Sequence, residues 1–90
     1  MKINDFYKVR NVVGENLILI QGKNNGDMTR VVAFNDSALL MWDSLIGKDF
    51  TLDDAVNVLL DNYNVEEPVA RADAEKWVET LRENGLLISE

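Results

Sequence analysis

The chain has 90 residues, which is the length of one domain, and we predict a single domain over residues 1–90. Its hydrophobic content of 47% is typical of a globular fold and argues against disorder. The sequence contains no cysteine and no histidine, which excludes disulfides, thiolate sites and histidine-based catalysis.

The net charge of −7 is unevenly distributed along the chain. Residues 1–34 contain five basic and three acidic side chains, whereas residues 35–90 contain four basic and thirteen acidic ones. Because nucleic-acid binding depends on Lys and Arg side chains that neutralise phosphates, this balance argues against a nucleic-acid partner. The acidic part is typical of a solvated helical surface. The alternative is a surface that repels wrong partners and steers basic ones.

The sequence shows neither a membrane span nor an export signal. No stretch approaches the ~18 apolar residues that are needed to cross a bilayer. Residues Met1–Asp5 lack the apolar run that follows the charged start of a signal peptide. We therefore expect a cytoplasmic protein without membrane contact.

The first third of the chain predicts three short β-strands. Phe6–Val13 alternates partly between apolar and polar residues, Leu17–Ile20 is a short apolar run, and Thr29–Phe34 has the pattern of a third strand. Gly14–Asn16 and Gly22–Asp27 are rich in turn-forming residues and separate the strands. Because short connections make neighbouring strands antiparallel, a three-stranded meander is expected.

The remainder of the chain predicts three α-helices and a short extended tail at Leu86–Ile88. Asn35 can cap the first helix, and Thr51–Asp54 resembles a capping box that opens the second, with Asp in place of the usual Glu. Pro68 suits the first turn of the third helix, and Gly85 can end that helix. The helices are expected over about residues 36–46, 51–63 and 68–84, and Gly47 stops the first of them.

Each predicted helix has apolar residues three and four positions apart, which define a buried face. The residues expected to be buried are Ala38, Leu39, Trp42, Leu45 and Ile46 in the first helix; Ala55, Val56, Leu59, Leu60 and Tyr63 in the second; and Ala70, Ala74, Trp77, Val78 and Leu81 in the third. Helices with such faces can cover one side of the meander, so the predicted fold class is α+β.

The sequence contains no pattern that is typical of an enzyme. It has no glycine-rich phosphate loop and no nucleophile elbow, and its serines have no histidine to activate them. The acidic pairs Asp53-Asp54 and Glu66-Glu67 lie at helix starts, where acidic residues complement the helix dipole. We therefore predict no catalytic residue, no metal site and no cofactor.

The second and third strands are apolar at consecutive positions, in Leu17–Ile20 and Val31–Phe34. An antiparallel sheet with one solvated face should alternate instead, and three strands cannot close into a barrel. One explanation is that the helices cover part of both faces or that the protein dimerises. The other is a docking edge that adds a strand from another chain.

The order and spacing of these elements resemble the PqqD family over nearly the whole chain. The segments that carry the resemblance are Phe34-Asn35, Ala38–Trp42, Leu52–Tyr63, Ala72–Val78 and Leu81–Leu87. Each segment is common by itself, and their order, spacing and total length together are specific. The family pattern often has Leu where this chain has Phe34, and its aliphatic residue and its Phe in the third helix are Ala74 and Trp77 here.

The resemblance implies a fold and a function. PqqD proteins are small peptide chaperones of pyrroloquinoline quinone biosynthesis, and the same domain recurs as the recognition element of enzymes that modify ribosomally made peptides. The family fold is winged-helix-like, with three antiparallel strands followed by three helices. A leader peptide lies along the third strand as an added strand and contacts the third helix.

Carried onto this chain, the resemblance implies a peptide-binding site between the third strand and the third helix. The residues implied are Arg30, Val31, Val32, Ala33 and Phe34 in the strand, and Ala70, Asp73, Ala74, Trp77, Val78 and Leu81 in the helix. For Trp77, Val78 and Leu81 the alternative is a purely structural place in the core. For Asp73 it is a salt bridge or a bond to nearby backbone.

The leading hypothesis is a non-enzymatic module that presents a precursor peptide to a maturation enzyme, which we expect to be a radical SAM enzyme. A winged-helix nucleic-acid-binding or regulatory protein is the alternative. It is disfavoured because the third helix has Arg71, Lys76 and Arg82 against four acidic residues. An enzyme subunit or structural partner without a peptide role is a third hypothesis, and a homodimer through the sheet edge would also occupy the open strand.

Overall fold

A computed structural model describes residues 1–20 and 30–88. Its elements in chain order are β1 (Lys2–Ile3), β2 (Arg10–Val12), β3 (Glu15–Ile20), β4 (Arg30–Phe34), α1 (Asp36–Leu45), α2 (Leu52–Asn62), α3 (Glu67–Glu83) and β5 (Leu87–Ile88). Strands β2, β3 and β4 form a three-stranded antiparallel sheet in that order. The predicted α+β meander followed by three helices is thus confirmed. The predicted turn Gly22–Asp27 and the predicted strand start at Thr29 lie outside the described residues.

The first strand of the meander is shorter than predicted, because Phe6–Val13 contributes only its last part, β2, to the sheet. The segment before β2 turns instead of extending. The Phe6 N–H donates to Asn4 Oδ1 at 3.1 Å, and the Tyr7 N–H donates to the Asn4 carbonyl at 3.3 Å. Asn side chains favour such local turns, which compete with strand formation.

The hairpin between β2 and β3 is closed by the two residues Val13 and Gly14, so the turn predicted at Gly14–Asn16 lies one residue earlier. Their φ angles are +52° and +82°. Positive φ at both central positions is typical of the type I′ turn, whose twist matches that of the flanking strands. Glycine adopts this conformation freely, whereas a β-branched Val does so under steric strain.

The predicted helix caps are present. Asn35 Oδ1 accepts from the Ala38 N–H at 2.9 Å, and Thr51 and Asp54 exchange the two bonds of a capping box at 3.3 and 2.9 Å. Pro68 lies in the first turn of α3. Gly85 follows α3 with a φ of +69°, which is the left-handed conformation expected of a helix-ending glycine.

Acidic residues occupy the first turns of α2 and α3, as predicted. Asp53 also accepts a hydrogen bond from the Arg71 guanidinium at 3.1 Å, which ties the start of α2 to α3. This bond raises the pKa of Arg71 above its ordinary value. Asp53 is exposed and Arg71 is partly exposed, so this ion pair contributes little to the stability.

A second, two-stranded sheet was not predicted. The extended tail forms β5, which pairs antiparallel with β1 through Lys2↔Ile88 and Ile3↔Leu87. The Phe50 N–H donates to the Met1 carbonyl at 2.7 Å, which holds β1 against the loop before α2. Two-residue strands carry too little pattern to be recognised in a sequence.

The core lies between the inner face of the large sheet and the three helices. Its buried residues are Ile3, Ile18, Ile20, Val32, Phe34, Met41, Trp42, Leu45, Phe50, Ala55, Val56, Leu59, Ala70, Ala74, Trp77, Val78, Leu81 and Leu86. The predicted face of α3 is fully buried, whereas Ala38, Leu39, Ile46 and Leu60 are only half-buried. The prediction for Tyr63 is wrong, and its side chain is exposed. Helix α2 ends at Asn62, and the backbone of Tyr63 is extended. Its side chain therefore no longer follows the buried face of the helix.

We expect Trp42→Ala to lower the free energy of unfolding by about 3–5 kcal/mol, because a buried indole would leave a cavity. Only 2% of Trp42 is exposed, and its ring lies 5.6 Å from that of Phe34. The measurement is urea unfolding followed by circular dichroism. Phe6→Ala is the matched control because Phe6 is 82% exposed, and its effect should stay within about 0.5 kcal/mol. If the two changes had equal effects on the free energy of unfolding, Trp42 would not lie on the buried face of α1.

We expect Val13→Asn to stabilise the protein by about 1 kcal/mol, because Asn tolerates the left-handed conformation that strains Val. Val13 is 97% exposed, so no burial is lost. Val12→Asn is the control, since Val12 is an exposed residue of β2 in which Asn is unfavourable. Thermal unfolding should move in opposite directions for the two variants. A destabilised Val13→Asn variant would mean that the hairpin does not turn at this residue.

Candidate functional site

A groove of about 700 Å³ opens between the end of β4 and helix α3. The strand side of the groove carries Ala33 and Phe34, and α1 contributes Ala38 and Met41. The turn of the β2–β3 hairpin and the start of β3 close one end. From α3 the groove is lined by Asp73, Lys76, Trp77 and Thr80. Asp73, Lys76 or Trp77, and Thr80 follow one another at separations of three or four residues, so they form one stripe along the helix.

The strand that borders the groove has one open edge. β4 pairs with β3 from Ile20↔Arg30 to Asn16↔Phe34, and within residues 1–20 and 30–88 no other strand pairs with it. An open edge presents unpaired backbone N–H and C=O groups, which can pair with a further strand. The groove therefore combines a backbone template on one side with side chains of α3 on the other.

The hairpin turn determines which groups of β4 point to this edge. In a two-residue hairpin the flanking residues, here Val12 and Glu15, form a hydrogen-bonded pair. Hydrogen-bonded and non-bonded pairs then alternate along β3, so Ile18 directs its backbone groups towards β4. Its partner Val32 is bonded to β3. The N–H and C=O groups of the intervening residues, Val31 and Ala33, consequently point to the open edge.

The same alternation separates the side chains of the sheet into two faces. Val32 and Phe34 are buried on the inner face, together with Ile18 and Ile20. On the outer face, Leu19 is 49% and Val31 is 55% exposed. The outer face is thus left largely uncovered at Leu19 and Val31, which does not support the alternative that the helices cover part of both faces.

The charged groups of the groove are mainly acidic. Glu15, Asp36 and Asp73 line it together with one basic residue, Lys76. Asp73 is exposed, and among the described residues it forms neither an ion pair nor a side-chain hydrogen bond. The structural role considered for it from the sequence is therefore absent here. The negative balance favours a basic or hydrogen-bond-donating group in the groove.

Trp77 links the groove to the core. It is a groove-lining residue, yet its side chain is buried and its ring lies 5.9 Å from that of Phe50. The indole Nε1 is buried without a hydrogen-bond partner among the described residues. Trp77 therefore belongs both to the core and to the wall of the groove.

The structure brings together only part of the predicted site. Ala33, Phe34, Asp73 and Trp77 line the groove, while the rest of β4 lies farther along the open edge. The remaining helix residues, Ala70, Ala74, Val78 and Leu81, are buried in the core and do not line the groove. Their face of α3 packs on the rest of the core, which leaves only the adjacent stripe for the groove.

Sequence reasoning missed Lys76 and Thr80, which line the groove on α3, and Ala38 and Met41, which line it on α1. The spacing of Asp73, Lys76 and Thr80 was the available signal, because residues three and four apart share a helix face. The contribution of α1 carried no such signal, since it depends on how the helices pack.

Within residues 1–20 and 30–88, no three or more acidic side chains come together in a group that could hold a metal ion. No helix of the same residues has the length and hydrophobicity that a bilayer crossing requires.

Comparison with known proteins places these features in a family. No curated protein matches the chain. A solved structure titled "TbiB1 in Complex with the TbiA(beta) Leader Peptide" is similar in fold, with a TM-score of 0.70 and 19% sequence identity over 100% of this chain and 98% of that chain. Residues 18–87 match the family model described as "Coenzyme PQQ synthesis protein D (PqqD)". Because this match spans most of the sequence, including β4 and α3, the chain belongs to the PqqD family.

Proposed function

We propose that this protein is a non-enzymatic chaperone that captures the leader of a ribosomally made precursor peptide. The leader adds as a strand to β4, and the chaperone presents it to a modifying enzyme of the radical SAM class. The observation that carries the proposal is the open edge of β4 beside the groove of α3. Membership of the PqqD family and the leader peptide named with the similar structure support it.

Strand addition divides recognition into two parts. The backbone groups of Val31 and Ala33 can bond to any extended peptide, which supplies affinity without selecting a sequence. The groove then receives alternate side chains of the added strand, because successive side chains of a strand point to opposite faces. Apolar residues of the groove, including Phe34 and Met41, suit an apolar side chain, and the acidic rim suits a basic one.

A presenting role suits a chain without histidine, cysteine or a phosphate-binding loop, because the chemistry then belongs to the partner enzyme. We propose that residues 1–90 act as one recognition domain in the cytoplasm. Two alternatives remain distinguishable by experiment. A second copy could pair with β4 in a homodimer, and a nucleic acid would have to overcome the acidic surface of the helices.

We expect Ala33→Pro to fold and to lose peptide binding by at least about tenfold. Proline removes the Ala33 N–H, which points to the open edge, and edge strands tolerate such a change. The probes are synthetic leader peptides encoded by short reading frames beside the gene, titrated by isothermal calorimetry. Ala33→Ser retains the N–H and is the matched control. Val32→Pro should unfold the protein instead, because its N–H is bonded to β3.

Backbone amide shifts of the labelled protein locate the bound peptide. Shifts concentrated on β4 and α3 support the proposal. Shifts on β2 or α2 would contradict the site, and equal binding by the Ala33→Pro and Ala33→Ser variants would contradict strand addition. Self-association through β4 without peptide binding would overturn the chaperone function in favour of a dimer interface.

We expect Asp73→Asn to weaken binding of a peptide with a basic residue by about tenfold, because it removes a charge-assisted bond in the groove. Stability should be unaffected, since Asp73 is exposed. Glu75→Gln is the matched control: it removes the same charge from an exposed residue of α3 that does not line the groove. The measurement is peptide affinity at low and high salt. Equal losses in both variants would show that only the overall charge matters.

A further inference from the structure

The outer face of the large sheet carries exposed apolar side chains beside the open edge. The register pairs Leu19 with Val31 and Leu17 with Ala33 across β3 and β4. These two cross-strand pairs form two parallel rows, and both rows end at β4. Leu19 and Val31 are about half exposed, and Leu17 is partly exposed. An isolated sheet with a solvated face would usually carry polar residues at these positions.

A strand added to β4 must extend these rows. Its side chains alternate between the inner and outer faces, whichever direction it runs. The residues that lie opposite Val31 and Ala33 are on the outer face, and their Cβ atoms lie about 4.5–5.5 Å from those of the strand residues. Two peptide positions, two residues apart, therefore contact the apolar rows, and of the two rows only the one at Ala33 also borders the groove.

We propose that the outer face of β3 and β4 is a second specificity surface of the peptide site, which selects apolar side chains at these two peptide positions. The inference rests on the proposed function, because it requires strand addition at β4. It assigns selectivity to Leu19 and Val31, which lie outside the groove. Side chains on both faces of the added strand would then contribute to the selection of the peptide.

The two rows differ in the side chain that they fit. A β-branched peptide residue opposite Val31 would extend the row that Leu19 and Val31 form. Cross-strand contacts between such side chains stabilise sheets. Opposite Ala33, the small methyl group leaves space above the sheet. A large apolar or aromatic side chain fits there, because it can extend across Ala33 to Leu17. The partner is accordingly an extended peptide with a β-branched and a large apolar residue two positions apart, and the direction of the added strand sets which of them comes first.

The test uses a display library of random twelve-residue peptides, selected on the wild-type protein and on a Leu19→Thr/Val31→Thr variant. Threonine retains a high strand propensity while making the outer face polar. We expect the wild type to enrich apolar residues both at peptide positions that face the groove and at the alternate positions that face the outer side of the sheet. The variant should lose enrichment only at the positions that face the outer side. A peptide selected on the wild type should bind the variant roughly five- to tenfold more weakly.

Val12→Thr is the matched control, because Val12 is exposed to a similar extent on the same face but lies on β2, two strands from the open edge. It should leave both enrichment and affinity unchanged, and thermal unfolding should show that all variants are folded. The inference would be overturned if the threonine variant lost enrichment at both sets of peptide positions. It would also be overturned if the wild type enriched apolar residues only at the positions that face the groove. The proposed function would survive either result. No enrichment of any peptide would overturn the proposed function itself.

Discussion

The turn at Val13 and Gly14 determines the arrangement of the whole sheet. Because the side-chain period of a strand is two, a slip of one residue in the hairpin would exchange the inner and outer faces of β3. The pairing with β4 would change with it, and the backbone groups at the open edge would belong to other residues. The strain at Val13 is therefore the local cost of one defined register.

This register has consequences for both the core and the groove. It directs Val32 and Phe34 inward, where Phe34 packs against Trp42 and also lines the groove. Trp77 has the same double position on α3, between Phe50 and the groove. The walls of the groove are thus made by residues that also stabilise the fold. A preformed groove of this kind reduces the ordering that a bound peptide would require.

The charge of the chain suits a protein that binds peptide rather than nucleic acid. Most acidic residues of the helices lie in first turns, in a capping box or along the exposed side of α3. Only Glu15, Asp36 and Asp73 of the acidic residues on the described segments reach the groove. Helix starts account for Asp36, Asp53, Asp54 and Glu67. Glu15, Asp36 and Asp73 give the groove its electrostatic preference.

The sequence by itself determined the fold class, the caps at Asn35 and Thr51, the buried stripe of α3 and, through the family resemblance, the pairing of strand and helix in the site. The fold class, the caps and the buried stripe depend on local chemistry and periodicity, which are properties of short segments, whereas the position of the site is what the resemblance implies. The tertiary structure decided the rest. It showed that Leu81 and its neighbours belong to the core, that Lys76 belongs to the groove, and that residues at the two ends of the described chain pair as β1 and β5. Such features depend on which elements pack together, and contacts between distant segments leave no periodic pattern in either segment alone.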